Sequence, residues 1–517
     1  MNNKKWAIAS FGAVLLLLMA NIVLLCGISK KLDSAVAQEN QAGQEDQSTA
    51  CGYVDLYIDG QYTHLLLEQS QSFSMVEVSS LNCEMDISVR ADESQAYEIY
   101  FDGIEISDGH EINYRLQMLD QNYTVPIRIV NRESGGVTNY FLSTFPSFIP
   151  DYTFIGESPY EGDYYLTPIV GLANVAMKVG SDGQLKYYYY NPYGCLADFK
   201  KVTTSDGAVR YLCFTTRSTH HGPRGVTNLG DYMVMDESYN EIKRLTMVKS
   251  EHIPADNYPV DQHDCLYIND NEYYLITYAD KNVYNIPDSV PHKKYGALVS
   301  AAVIQGFRDG ELFFEWDSTD FPELYALSVE YNDFTNSTST YAADYMHINS
   351  IDIDPTDGNL IASFRDIDTV MKISTSTGEI LWKLGGLGDD FGLTENQKTS
   401  RQHYARVTDL GSITVYDNGN KNSQSRIVEY WLDEENRQLK EFREYQVDGY
   451  FSSATGSAHR IDDKEDVYMI GWGVRTAGDV NGLYPQFSEI NFTSGKTLVE
   501  FRFKDSKIST YRYVKIK

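Results

Sequence analysis

The sequence predicts an all-β protein: a six-bladed β-propeller preceded by a small β-sandwich and by an N-terminal transmembrane or signal segment. Three observations predict it. A hairpin unit recurs six times after residue 160. The 517 residues include 40 Tyr, 22 Phe and 5 Trp, rings that pack well on half-buried pleated surfaces. No long helical periodicity follows Ile28. Apolar residues at 42% and charged residues at 22% describe a globular chain, long enough for two to four domains of roughly 100–200 residues each. With 43 basic and 73 acidic residues the formal charge is −30. That charge argues against nucleic acid as a partner and against a polybasic membrane patch.

The elements follow in chain order. Residues 1–31 read as a signal anchor or signal peptide. Lys4 and Lys5 precede an apolar run over 6–28, long enough for a bilayer core of about 30 Å. A secretory signal normally has an apolar region of only about 7–15 residues, but Ala35-Val36-Ala37 offers a small-residue cleavage site. The anchor places the rest of the chain outside the cell on its membrane, and cleavage near Ala37 would release it. Residues 32–50 are polar and read as a flexible linker. Residues 51–150 alternate apolar and polar positions between turns such as Asp59-Gly60 and Asp102-Gly103, the pattern of a small β-sandwich. Export permits disulfides. Cys51 with Cys83, and Cys195 with Cys213, are candidate pairs, leaving Cys265 a buried free thiol. The alternative is that most of the six Cys are small buried apolar residues.

Residues 151–517 carry the repeat. Hairpins begin near residues 175, 231, 298, 370, 427 and 487, at intervals of 56 to 72 residues. A second element, a short apolar strand led by His263, His347, His403 or His459, alternates with them. Together they make about four strands per repeat, and six repeats suit a propeller. Four of the ten His thus occupy one repeat position, which points them at one central pocket. Each could instead pack a blade loop. A metal site is a rival, since imidazole is a common ligand, although no tight H-x-H or H-x-x-x-H pair is present. His220-His221 with Arg217 and Arg224 reads as a solvated basic loop.

The stretch His347-Ile348-Asn349-Ser350-Ile351-Asp352, continuing through Asp357-Gly358-Asn359-Leu360-Ile361 to Arg365, resembles the bacterial PAPS-independent arylsulfotransferases. So do Thr377-Gly378-Glu379-Ile380-Leu381-Trp382 with Leu384-Gly385-Gly386, Gln402-His403 followed by Tyr416-Asp417-Asn418-Gly419, the 161–167 segment and His263-Asp264. The resemblance covers roughly residues 140–510. It implies a six-bladed propeller with a small N-terminal β domain, and transfer of a sulfuryl group from an aryl sulfate to a phenolic acceptor in a ping-pong cycle through a sulfated His. Motif by motif, His403 would be the nucleophile, and His347, Asn349, Arg365 and His263 would surround the sulfuryl group. Either His263 or His347 would handle the phenol proton. No cofactor and no metal are implied, and no G-x-x-x-x-G-K-[ST] nucleotide loop is present. These residue types suit the task. Arg offers a permanent planar fork for an oxyanion, and a neutral His is a competent nucleophile. Residues 366–402 contain no Cys, so the disulfide loop that some members carry there is not expected. The rivals are a non-catalytic surface-binding propeller and a metal-dependent propeller hydrolase or lyase. The oligomeric state is open, a homodimer being one option.

Overall fold

In the computed structural model, the described residues are the strands between 50 and 145 with turn residues 103 and 132, and most of 149–517, excepting 150, 171–173, 192, 222–227, 339–340, 463, 475–484 and 506. The apolar run over 6–28 lies outside them. No helix among the described residues is long and apolar enough to cross a membrane. Short 3-10 turns aside, the described secondary structure is strand.

Between residues 50 and 145 there are two sheets. One runs Gln61–Glu68, Ala50–Ile58, Glu84–Ala91, Glu111–Gln117. The other runs Phe73–Glu77, Val137–Phe145, Thr124–Asn131, Tyr97–Phe101, Ile104–Ile106. The alternation read from the sequence has its cause here: Ile99, Phe101, Ile127 and Ile129 bury one face.

From residue 152 onward the strands form six antiparallel sheets. The six hairpins seen in the sequence are the trailing strand pairs of these sheets, for example Thr369–Ile373 with Ile380–Gly385 and Arg426–Asp433 with Gln438–Gln446. Five sheets are led by the strands Leu196–Thr203, Cys265–Asn269, Ile348–Ile353, His403–Val407 and Ser457–Asp462. The remaining sheet, whose other strands are Asp163–Val170, Val175–Val179 and Leu185–Tyr190, is led by the C-terminal strand Ser509–Ile516. Conversely, Tyr152–Gly156 adds an outer strand to the last sheet. The two ends of this region are therefore sewn into each other's sheets.

The apolar core is divided in the same cyclic way. Ile361, Val370 and Trp382 of one sheet pack with Ala405, Val415 and Val428 of the next. Tyr164 faces Phe487 and Val499 of the last sheet, whereas Tyr165, one residue on, faces Phe199 and Tyr211 of the second. The two-residue period of a strand makes this possible: each sheet buries both faces against different neighbours. Burying one such large side chain contributes about 1.5–3 kcal/mol.

The leading strands adjoin one another in turn, Ser509–Ile516 contacting both Ser457–Asp462 and Leu196–Thr203. A buried charge cluster joins them. Asp264 accepts from Lys200 Nζ at 3.0 Å, Arg406 Nη2 at 2.6 Å and Arg512 Nη1 at 3.1 Å. Arg512 and Lys200 also bind Asp198, at 2.7 Å each. Burial alone would raise the Asp264 carboxyl, but Arg406, Arg512 and Lys200 together hold it well below the usual range. Asp264 therefore has a structural role that its position beside His263 did not reveal.

Two expectations change. Cys195 and Cys213 are free thiols. Their strands pair Leu196 with Thr215, and Cys195 O accepts from Thr216 N, which leaves Cys213 three rungs away with its thiol on Ala197 O. Cys265 is free and buried, as expected. Cys83 and the Cys51 side chain lie outside the described residues. His459 does not share the position of the other three histidines. It is the third residue of its strand, and its Nε2 lies 3.2 Å from Lys515 O.

Candidate active site

Four loops and strand starts converge around Tyr511, which the C-terminal strand brings in. The Tyr511 ring centroid lies 5.1 Å from that of His263 and 6.2 Å from that of His403. The rings of His263 and His347 are 5.1 Å apart and nearly perpendicular. Tyr511 Oη donates to Asn349 O at 3.4 Å. The Asn349 side-chain amide donates to Gln402 O at 2.7 Å, directly before His403. It thus joins two sheets. Arg365 begins a 3-10 turn after the strand Leu360–Phe364, and its backbone N donates to His347 O. His263, His347, Asn349, Arg365 and His403 therefore occupy one neighbourhood.

The backbone there is strained. His347, Arg401, Tyr404 and Thr455 have φ of 51°, 58°, 55° and 64°. Such values cost a non-glycine residue of order 1–3 kcal/mol each and tend to cluster at functional sites. After Thr455 comes Gly456, φ 107°, where a Cβ would lie 2.4 Å from the buried Tyr416 ring. Only glycine fits, and it holds the Thr455 amide against His403.

Each histidine has its own partner. His263 Nδ1 is paired with Asp261 Oδ1, and His347 Nδ1 with Asp344 Oδ2 at 2.6 Å. His403 Nδ1 meets Asn418 Oδ1 at 2.6 Å and Arg401 O at 3.1 Å, and its Nε2 accepts from Thr455 N at 3.2 Å. Burial, and then the Arg365 charge, hold the His403 imidazole well below its ordinary value. Burial also lowers His347, to about 4. Both rings are neutral at pH 7.

Arg365 Nη1 donates to Asp366 Oδ1 at 2.5 Å and to Glu330 Oε2 at 3.0 Å. Asp368, two residues further on, pairs instead with Arg401. Burial raises Asp366 to about 7. This gives a pH prediction. Between about pH 4 and 7 the folded protein keeps a proton on Asp366 that the unfolded chain releases, so this group's contribution to stability falls as pH rises through that window. His347 acts oppositely, because the unfolded chain binds the extra proton between its folded value of about 4 and about 6.5. Asp366→Asn removes only the first effect. Its stability relative to wild type is expected to shift in its favour as pH is raised from about 4 to 7, and to level off above. Urea midpoints across that range measure this, and parallel curves for the two proteins would contradict it.

Asp344, His347 and Asp366 are also the one group among the described residues whose ligand atoms, all within 4.8 Å of one another, could hold a metal ion. Arg365 already pairs with Asp366 there. A cavity of about 250 Å³ borders Ser400, Asp417 and Gly419 but includes none of the three histidines.

Sequence reasoning missed Asp261, Asp344, Asn418, Thr455 and Tyr511. Asp-x-His and Asp-x-x-His spacing was a usable signal for the first two. Asn418 lay in a motif already noted. Nothing local marked Thr455 or Tyr511.

The site joins a neutral, oriented imidazole, a guanidinium and two carboxylate-backed imidazoles on an all-β scaffold. The family described as Arylsulfotransferase (ASST) matches residues 199–513, more than half of the chain. The protein belongs to that family. No curated protein is a significant match. Among solved structures, similar ones include hydrazine synthase of Kuenenia stuttgartiensis, at 12% identity and TM-score 0.34, covering 65% of this chain and 78% of that one. The β-propeller domain of Myceliophteria thermophila Cps50 (Swd1) matches at 9% and TM-score 0.36, covering 69% and 90%. Cobalt-substituted Synechocystis ACO matches at 10% and TM-score 0.35, covering 87% and 98%. Likenesses at this level carry no argument about this chain.

Proposed function

We propose that this protein transfers a sulfuryl group from an aryl sulfate to a phenol in two steps, through a sulfated His403, without nucleotide or metal. The observation that carries the reading is the state of His403: buried, with Nδ1 on an oxygen acceptor and an N–H donor at Nε2, and kept neutral by burial and by the Arg365 charge. Nε2 gives up its bond from Thr455 N and attacks sulfur as the aryl oxygen leaves. Arg365 and the Asn349 amide balance charge on the sulfuryl oxygens, the kind of contact worth ~10²–10³ in rate. His263 or His347, each backed by a carboxylate, handles the phenol proton: the neutral ring takes it from the acceptor in the second step, and the imidazolium so formed returns it to the next departing phenolate. The six sheets are six propeller blades over 151–517, with a β-sandwich at 51–150, and the 1–31 segment exports and tethers the chain.

The test is 4-nitrophenolate release from 4-nitrophenyl sulfate by the full-length protein, with and without an added phenol, before and after EDTA. Phenol-dependent release that survives EDTA is expected. Sustained release without phenol, beyond one equivalent per protein, would contradict transfer. Loss with EDTA, restored by a divalent metal, would favour hydrolysis or elimination at the Asp344, His347, Asp366 group instead. Well-folded protein that releases nothing would favour a binding propeller.

A further inference from the structure

The partners of the three histidines differ in kind, and the difference assigns a task. His263 and His347 lean on carboxylates. His403 leans on an amide. The orientation of that amide is set by its own bonds: Asn418 Nδ2 donates to Ser452 O at 2.8 Å and to Thr455 O at 2.9 Å. Its oxygen therefore faces His403 Nδ1. A second oxygen, Arg401 O, faces the same nitrogen, and an N–H donor, Thr455 N, faces Nε2. Nδ1 must carry the proton and Nε2 the lone pair. Asn418 is fully buried, so no water competes for these bonds.

We propose that Asn418 is a positioning residue that keeps the Nδ1 proton on His403 through the whole cycle, so that the ring leaves sulfur as neutral imidazole. The inference rests on the sulfuryl-transfer reading above. In the first step the Nε2 lone pair forms the N–S bond. The aryl O–S bond breaks with its electron pair going to the phenolate oxygen, which then takes a proton. The product is a sulfoimidazolium whose ring charge offsets that of the sulfonate, with the proton still on Nδ1. In the second step the acceptor phenol gives up its proton, its oxygen forms the O–S bond, and the S–N pair returns to Nε2. The ring ends as it began.

A carboxylate at position 418 would change the second step. Sulfation makes the Nδ1 proton more acidic, and a neighbouring carboxylate would take it. The leaving group would then be an imidazolate, far more basic than imidazole and slower to depart. An amide cannot take that proton. This accounts for the amide at the ring that must release sulfur and for carboxylates at the rings that only exchange protons.

The test is Asn418→Asp, rapidly mixed with 4-nitrophenyl sulfate and a phenol. A burst of about one equivalent of nitrophenolate is expected, followed by turnover ~10²-fold or more below wild type, the scale seen when a histidine's orienting partner is changed. Protein carrying one added SO₃ by mass should persist. A purely structural loss would slow both steps and leave no sulfated protein. Wild-type turnover without accumulation even at about pH 9, where a buried carboxyl whose second oxygen faces Ser452 O and Thr455 O can ionise, would overturn the proposal. If the variant does not fold, ¹⁵N-histidine NMR of wild type decides, with His403→Gln identifying the resonances. Nδ1 protonated and Nε2 bare across neutral pH is expected, and the reverse overturns the proposal. A wild-type protein with no aryl sulfate activity would sink the functional reading, and the NMR result would still judge the tautomer.

Discussion

His403→Ala is expected to lower sulfuryl transfer by ~10⁴-fold or more, because removing the nucleophile of a two-step transfer removes the pathway itself. The protein should still fold. The variant leaves Asn418 Oδ1 and Thr455 N, both partners of the lost ring, without their bonds. An unmet buried polar group costs about 1–3 kcal/mol, set against the 5–15 kcal/mol typical of folded proteins. A lower melting temperature with unchanged near-ultraviolet circular dichroism is the expected physical signature. The chemical signature is that the variant, unlike wild type, gains no SO₃ by mass from 4-nitrophenyl sulfate. Turnover within tenfold of wild type would remove His403 from the mechanism.

Arg365→Ala should produce the second largest effect, on activity and stability together. Loss of a preorganised donor to developing negative charge costs ~10²–10³ in rate. The stability effect comes from Asp366, fully buried and paired with Arg365. Breaking a buried ion pair from one side costs about 3–5 kcal/mol. Because burial already raises Asp366 to about 7, this carboxyl can shed its charge by taking a proton. The stability lost should therefore be smaller at pH 6 than at pH 8. Arg365→Lys separates the two roles: it keeps a cation beside Asp366 and recovers stability, but lacks the planar fork and recovers little rate. Urea titrations at both pH values, with kcat for each variant, test this. Equal losses at both pH values would mean that Asp366 is not the group left exposed.

How far the sequence foretold the site can be judged residue by residue. His347, Asn349, Arg365 and His403 lie within 57 residues of one another in stretches whose order and spacing could be compared with a family. Their mutual approach could not be read there, because it depends on two sheets packing against each other. The repeat placed His459 with the other three, but its side chain is two positions inside its strand. A strand's register against its neighbours is a tertiary property, and a small slip moves a side chain from pocket to packing. Of the two readings of Cys195 and Cys213, a disulfide or two free thiols, the structure has the free thiols for the same reason.

The sequence by itself determined the local units: six hairpins, the strands that join them, and the residue types able to hold an oxyanion. Those follow from short-range rules, the two-residue period of a strand and the turn residues between strands. The tertiary structure alone decided that the C-terminal strand leads the first sheet. It thereby decided that Tyr511 stands among the histidines and that Arg512 joins Asp198 to Asp264. It also decided that Asn418 and Thr455, 15 and 52 positions beyond His403, hold the two nitrogens of its ring. Those contacts follow from the mutual packing of whole sheets, which no local stretch of sequence encodes.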